Sequence, residues 1–440
     1  MEDNKPTFDK ILNDLTHHIR INTGFLLWMG FLSVSLLICL YAYALQLKTG
    51  LGVAGIRDYI TWGIYLSNFV FFVASSLIGM LISAVLGLIG MKWITPLTRI
   101  AETIAVAFAA VAGLVIVSDM GRPERLAYVF IYGRAQSPIL WDVTVITTYF
   151  VLSLLLLFLP MIADMAIIHR KSTSLPGWLK PVYKTLSLNF TDSPEQNKII
   201  NRCIRILLIL VIPAALSIHT VTSWLFAVTS RAGWDSTLFG PYFVSGAFVA
   251  GSAAVIIAMF FFRKNYKLQD YLTDLHFSNM GKVLVTVSLV YLYFNINEFL
   301  VPGYKMKRAD AVHLHELLVG KDAILFWLVQ TAGLLIPILL MMFKPFRKPL
   351  PIMLISVAVL IAAWIKRYLI VIPTQEHPFL PIQHVPQNFM HYSPTLIETL
   401  ISIAPFILVL IIITLISKFF PVIPLHETAK EKGIEHIKFD

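Results

Sequence analysis

Ten stretches of this chain run apolar for long enough to cross a bilayer, and that repetition constrains the fold more than any other feature. They lie near 21–47, 59–90, 98–118, 139–169, 203–229, 240–263, 281–301, 321–343, 351–373 and 395–420. About 18 or more mostly apolar residues are needed to span the hydrocarbon core as a helix. Inside that core each backbone N–H and C=O must find its partner within the protein, so runs of this length are read as helices. With 57% hydrophobic and only 14% charged residues, the chain is too apolar for a soluble domain. The sequence predicts an all-α polytopic membrane protein of about ten transmembrane helices.

An even number of spans puts both termini on one side. That side collects 23 Lys and Arg residues against 10 on the other, with Lys366 and Arg367 inside the ninth run. The positive-inside rule then predicts cytoplasmic termini. The net charge of +10 is therefore a topology signal, and nucleic acid is not an expected partner. The first 20 residues carry Lys5, Lys10 and Arg20 and lack the apolar core and cleavage site of a secretory signal, so the first helix is expected to stay as an anchor. Cys39 and Cys203 fall in different runs, which argues against a disulfide framework or a cysteine-held iron–sulfur cluster.

The longest inner loop, 170–202, holds Ser193 followed by Pro194, an N-cap with proline at the first helical position, and predicts a short helix leading into the fifth span. The last outer loop contains His377, His384 and His391 at seven-residue spacing. Pro378, Pro381 and Pro386 between them forbid the continuous helix that would gather the rings, so no metal site is expected. A weak repeat, "WGIYLSNFVFFVASS" (62–76) against "FGPYFVSGAFVAGSA" (239–253), suggests a parallel duplication. On that basis the expected organisation is 1–58 as N-terminus and peripheral helix, 59–229 and 230–373 as two four-helix bundles, and 374–440 as outer loop, peripheral helix and tail.

Charge at membrane depth is costly, so charges there are paired, solvated or functional. Between the third and fourth runs stands "SDMGRPERLAYVFIYGRAQSPILWDV" (118–143). Its Asp119 ends one helix, Pro123 turns the chain out, and Trp141 and Asp142 bring it back. Tyr65 and Asn68 share a face of the second run with Thr61, and Asp142 shares one with Tyr149. His219 lies four residues before Ser223. Tyr291, Asn295 and Glu298 form a row on the seventh run, and Lys366 with Arg367 sits in the ninth. Single-residue readings exist for each: His219 bonded across helices, Lys366 and Arg367 snorkelling or paired with Glu298, Asp119 paired with Arg122. They do not explain why polar groups from six helices gather in the outer half. The inner half offers chiefly Glu102 and Asp164, a candidate proton path if both are buried without counter-charge.

An outer polar cluster suits an amphipathic molecule whose head sheds protons as its electrons leave, such as a quinol. Such a site needs a proton-accepting group, a route to water and an apolar slot for the tail. Asp119, His219 and Glu298 are suitable acceptors, with Asp142, Arg122, Asn68 and Tyr65 beside them and Trp141, Tyr149, Lys366 and Arg367 in support. Haem is disfavoured, because His219 alone among twelve histidines lies clearly within a span and bis-histidine ligation needs two.

"WGIYLSNFVFFVASSLIGMLIS" (62–83), "SDMGRPER" (118–125), "QSPILWDVTVITTYFV" (136–151), "HTVTSWLFA" (219–227), "STLFGPYFVSGAF" (236–248) and "YFNINEFLVPGY" (293–304) together resemble the polysulfide reductase NrfD family of membrane subunits. The ten-span length looks closest to the branch found in alternative complex III and in DsrP-like complexes. The resemblance implies a menaquinol- or ubiquinol-binding subunit of the bacterial inner membrane, without haem or iron–sulfur cluster of its own. It further implies a periplasmic iron–sulfur partner, with molybdoenzyme-like or multihaem subunits and a second membrane subunit of the same family as further partners. The family's turn matches Asp119, Gly121, Arg122, Pro123 and Arg125, its next motif Trp141 and Asp142, and its histidine before the span-five tryptophan His219. Where complex III members carry a histidine in a GHAG-like segment of the second span, this chain reads "ASSLIG" (74–79). A secondary transporter and a purely structural anchor remain the alternatives: the first favours polar groups at the midplane, the second tolerates loss of Asp119 and His219.

Overall fold

The structure is a computed structural model describing residues 8–57, 59–172, 175–377, 384–386 and 389–434, without the side chains of Leu86 and Lys92. Pro378 and Pro381 thus lie outside the described residues. Among the described residues, ten helices are long and apolar enough to cross a membrane. Spans 1–5 are Thr23–Thr49, Ile64–Val85, Thr95–Ser118, Pro138–Lys171 and Pro194–Ala227. Spans 6–10 are Phe239–Asn265, Asp274–Lys305, Ala323–Met342, Pro349–Glu376 and Leu396–Phe419. No strand occurs among the described residues. The protein is an all-α, multi-pass membrane protein.

Span 2 is the most enclosed, 94% buried over its apolar window, and span 6 follows at 78%; span 1 is buried over only 17%. Span 2 accordingly packs on spans 3, 5, 6 and 9, and span 6 on spans 5, 7 and 9, while span 1 lies along span 10, which also meets span 3. Small residues permit the closest approaches, as expected where lipid tails give helices no hydrophobic reason to associate. A Cβ on Gly79 of span 2 would run into the Ala101 carbonyl of span 3, and one on Gly251 of span 6 into the Ile78 side chain of span 2.

The chain passes up and down, so one face collects the Asp119 turn and the final loop. The opposite face collects the first and last described helices, Phe8–Thr16 and Leu425–Glu431, and carries Arg99 near the start of span 3. We call these the turn face and the Arg99 face.

Three span starts differ from the apolar pattern, each for a local reason. Span 5 begins at Pro194, capped by Ser193 Oγ, which accepts from Gln196 N at 3.2 Å; the expected lead-in helix is continuous with the span. Span 7 begins at Asp274, not near 281, because Thr273 and His276 cap each other's backbone and carry the helix through a polar first turn. Span 2 begins at Ile64, not 59, because Gln375 of span 9 takes both the N–H and the C=O of Trp62. Trp62 N donates to Gln375 Oε1 (3.0 Å) and Gln375 Nε2 to Trp62 O (2.7 Å). At its other end span 2 closes with a π-helical turn, Ile82–Leu86.

Candidate functional site

The turn between spans 3 and 4 follows from its sequence. Asp119 caps span 3, and Pro123 opens a 3₁₀ turn, Pro123–Arg125. Pro138 then starts span 4, with Trp141 Nε1 tying back to Ala135 O at 2.5 Å. Arg122, Arg125 and Arg134 are exposed. No ion pair joins Arg122 to Asp119 among the described residues, which corrects that reading: the guanidinium points to solvent while the carboxyl turns inward.

Asp119 is partly exposed, but its Oδ1 is enclosed and has no hydrogen-bond partner among the described residues. Burial, and then the negative charge of Glu398, push its carboxyl up to about 7. Around it three spans are tied together. Tyr65 OH donates to Gln46 Oε1 (2.6 Å), and Gln46 Nε2 to Ser118 O (2.7 Å). Glu398, at the start of span 10, accepts from Gly55 N (2.6 Å) and from the Tyr392 hydroxyl. Tyr392 OH also receives Ile64 N (2.9 Å), and Tyr392 N donates to Glu376 Oε1 (2.8 Å), which pairs with Lys321. Burial, reinforced by Glu398, pushes the Tyr392 hydroxyl far above its usual range.

The other expected residues belong to further hydrogen-bonded sets on both sides of spans 2 and 6. Asp142 is fully buried, with Oδ1 accepting from Thr222 Oγ1 (2.6 Å) and Oδ2 unpartnered; Tyr149 OH donates to Ser76 O (2.8 Å). Trp141 and Trp224 flank an open groove of about 700 Å³ between spans 4 and 5, lined also by Leu140, Val145, Leu216 and Thr220. His219 is buried, and its Nε2 has no partner among the described residues.

In the other half, Tyr242 OH donates to Asn295 Oδ1 (3.0 Å), Tyr291 OH to Tyr242 OH (3.2 Å), and Asn295 Nδ2 to Gln330 Oε1 (2.7 Å). Glu298 accepts from Ser236 Oγ (3.0 Å). Lys366 forms no ion pair with Glu298 within the described residues; its Nζ sits 4.5 Å from the Phe299 ring centre, a cation–π seat that replaces the pairing considered from sequence. Arg367 lies over Phe243 at 4.9 Å. Asn68 is committed elsewhere. It donates to Ser402 O (2.9 Å) and accepts from Trp364 Nε1 (2.7 Å), bracing spans 9 and 10.

On the Arg99 face, Asp164 is not an uncompensated acid. It pairs with Arg99, both fully buried, and accepts from His426 N (2.8 Å) and Leu425 N (3.2 Å) at the start of the C-terminal helix Leu425–Glu431. Glu102 is buried and accepts from Ser83 Oγ at 2.7 Å.

Sequence reasoning missed Glu398, Tyr392, Glu376, Gln375 and Gln46. Thr395 and Glu398 carried a signal: a threonine followed three residues later by glutamate, before an apolar run, marks a helix start, and Thr395 Oγ1 does accept from Glu398 N at 3.2 Å. Nothing in the pattern indicated that the glutamate side chain would reach Gly55.

Residues 52–378 match the family model described as polysulphide reductase, NrfD. The chain belongs to this family. It is 28% identical to a putative dimethyl sulfoxide reductase membrane subunit of Halobacterium salinarum, over 71% of this chain and 69% of the relative. It is 26% identical to a selenate reductase subunit of Mesobacillus selenatarsenatis, over 93% and 96%. A third relative, the Hdr-like menaquinol oxidoreductase integral membrane subunit of Archaeoglobus fulgidus, is 23% identical over 90% and 92%. The NrfD segments quoted from the sequence therefore lie in a chain that matches the family over most of its length.

Proposed function

We propose that this NrfD-family protein is the quinol-exchanging membrane subunit of a multisubunit oxidoreductase, with its quinol site at the turn face. The observation that carries this reading is Asp119. An enclosed carboxyl oxygen without a partner, on a group poised near neutrality, is what a quinol hydroxyl needs as it loses its proton. Oxidation of one quinol gives a quinone, two protons and two electrons. Asp119 takes a proton at Oδ1, and Asp142 Oδ2 and His219 Nε2 are further acceptors on this side that have no partner among the described residues. The electrons leave to an iron–sulfur subunit docked on the face of Arg122, Arg125 and Arg134. The groove of Trp141 and Trp224 supplies an apolar slot for the isoprenoid tail at the same face.

Two relatives are named as subunits of reductases and one as part of a menaquinol oxidoreductase, which supports the class of complex and the choice of menaquinol. In this reading the turn face is periplasmic in a bacterial inner membrane and both termini are cytoplasmic. Residues 59–229 and 230–373 are two bundles meeting at spans 2 and 6. The test is quinol-driven reduction by the purified complex carrying Asp119→Asn or His219→Ala. Assembly is expected to persist while turnover falls at least tenfold for Asp119→Asn. Near-normal turnover in both variants would leave only a structural anchor.

A further inference from the structure

A polar-lined space also lies away from the turn face. A chamber of about 320 Å³ opens on the Arg99 face between spans 2, 3, 4 and 5 and the C-terminal helix, lined by Ser83, Thr98, Arg99, Glu102, Glu427 and Glu431 among others. Its mouth is formed by exposed residues, Met91 of the span 2–3 connection and Glu431. Its inner wall is Glu102, held by Ser83 at the π-helical turn of span 2. Its floor is the C-terminal helix, whose first two N–H groups are seated on Asp164.

The side chains decide what such a space holds. Arg99 is 1% exposed, and with Nη1 on Asp164 its Nε and Nη2 have no acceptor among the described residues. Glu102 needs donors beyond Ser83, and Glu427 and Glu431 add two more carboxylates. An anion is disfavoured, because three carboxylates face one guanidinium already paired with Asp164. Water satisfies both sets, accepting from Arg99 and donating to the carboxylates, and the volume holds on the order of ten molecules.

We propose that this chamber is a hydrated proton entry on the Arg99 face, with Glu102 as the group that exchanges protons with it. A hydronium ion in the chamber gives its proton to a Glu102 carboxylate oxygen, leaving water and a neutral acid, and the reverse step returns it. The groups facing Glu102 are Ser83 from span 2, Arg99 from its own helix and Glu427 from the C-terminal helix. Beyond it, Asp142, Tyr149 and Ser153 share one face of span 4 at spacings of seven and four. Tyr149 OH is bonded to Ser76 O of span 2, so buried polar groups continue toward the turn face. Only the use made of these protons rests on the proposed quinol function; access to the chamber does not.

The test separates the two. In a background with Cys39 and Cys203 replaced by serine, Thr98→Cys, Ser83→Cys and the control Ala105→Cys are introduced into the intact complex in sealed, oriented vesicles. A membrane-impermeant cationic methanethiosulfonate should modify positions 98 and 83 from the Arg99 face only, at least tenfold faster than position 105, which is fully buried. Failure of both to react from that face, or equal reaction from either face, overturns the chamber. Then Glu102→Gln is expected to lower protons taken up per electron during quinol-driven turnover, with Glu102→Asp restoring the ratio. An unchanged ratio with Glu102→Gln, or no rescue by Glu102→Asp, overturns the exchange role. Absence of quinol turnover in the wild type would instead remove the proposed function and leave the labelling result standing.

Discussion

Replacing Asp164 tests how the C-terminal helix is held. Its carboxylate makes three contacts at once: the ion pair to buried Arg99 and the N–H groups of Leu425 and His426. Removing one partner of a buried ion pair costs about 3–5 kcal/mol, because the other charge stays behind unpaired. Each lost acceptor of a helix-start N–H adds about 1 kcal/mol. If only ~3 kcal/mol of this falls on docking of the C-terminal helix, its opening equilibrium shifts roughly 100-fold. Limited trypsin digestion in detergent measures this as the rate of cleavage after Lys430 and Lys432. Asp164→Ala should cleave tens of times faster than wild type. Asp164→Leu combined with Arg99→Met should be milder than Asp164→Leu alone, because no charge is stranded. Cleavage of Asp164→Ala at the wild-type rate, or a double variant worse than the single, would refute the argument.

Three further outcomes follow from the same contacts. Asp119 holds its proton to about pH 7, well above an unfolded aspartate, so the ionised acceptor accumulates as pH rises through 7. Quinol oxidation should therefore fall about tenfold per pH unit below that point and level off above it, the inflection disappearing in Asp119→Asn; in the same range rising pH should slightly lower stability, since the folded state binds the extra proton. Gly79→Ala places a methyl group against the Ala101 carbonyl and should reduce the yield of assembled complex several-fold by size-exclusion chromatography, whereas Gly30→Ala, in open space, should leave it unchanged. Tyr392→Phe removes the hydroxyl that joins Ile64 N to Glu398, and should raise hydrogen exchange at residues 389–398 by roughly tenfold without unfolding the spans.

The spans were legible because ~20 apolar residues in a row have one solution in lipid, and Ser193–Pro194 and the Asp119–Pro123 turn were legible because capping is local in sequence. The connections that organise the candidate site were not. Gly55 meets Glu398 across 343 residues and Trp364 meets Asn68 across 296, and a polar residue in an apolar run shows its face without showing its partner. Asp164 illustrates the consequence. Its depth suggested an unpaired acid, but Arg99 turned inward to meet it, and the tail supplied two donors from 261 and 262 residues away. In the outer polar set, likewise, helical spacing gives depth and face but not which faces meet.

The central claim is that a quinol sits against the Asp119 turn, and photolabelling measures it most directly. The intact complex is irradiated with an arylazido-quinone, with and without excess unlabelled quinone, and the labelled peptides are identified by mass spectrometry. The account predicts competable adducts within 118–149 or 216–227, diminished in Asp119→Asn. Competable labelling confined to spans 7–9 or to other subunits, with none on those two segments, would contradict it.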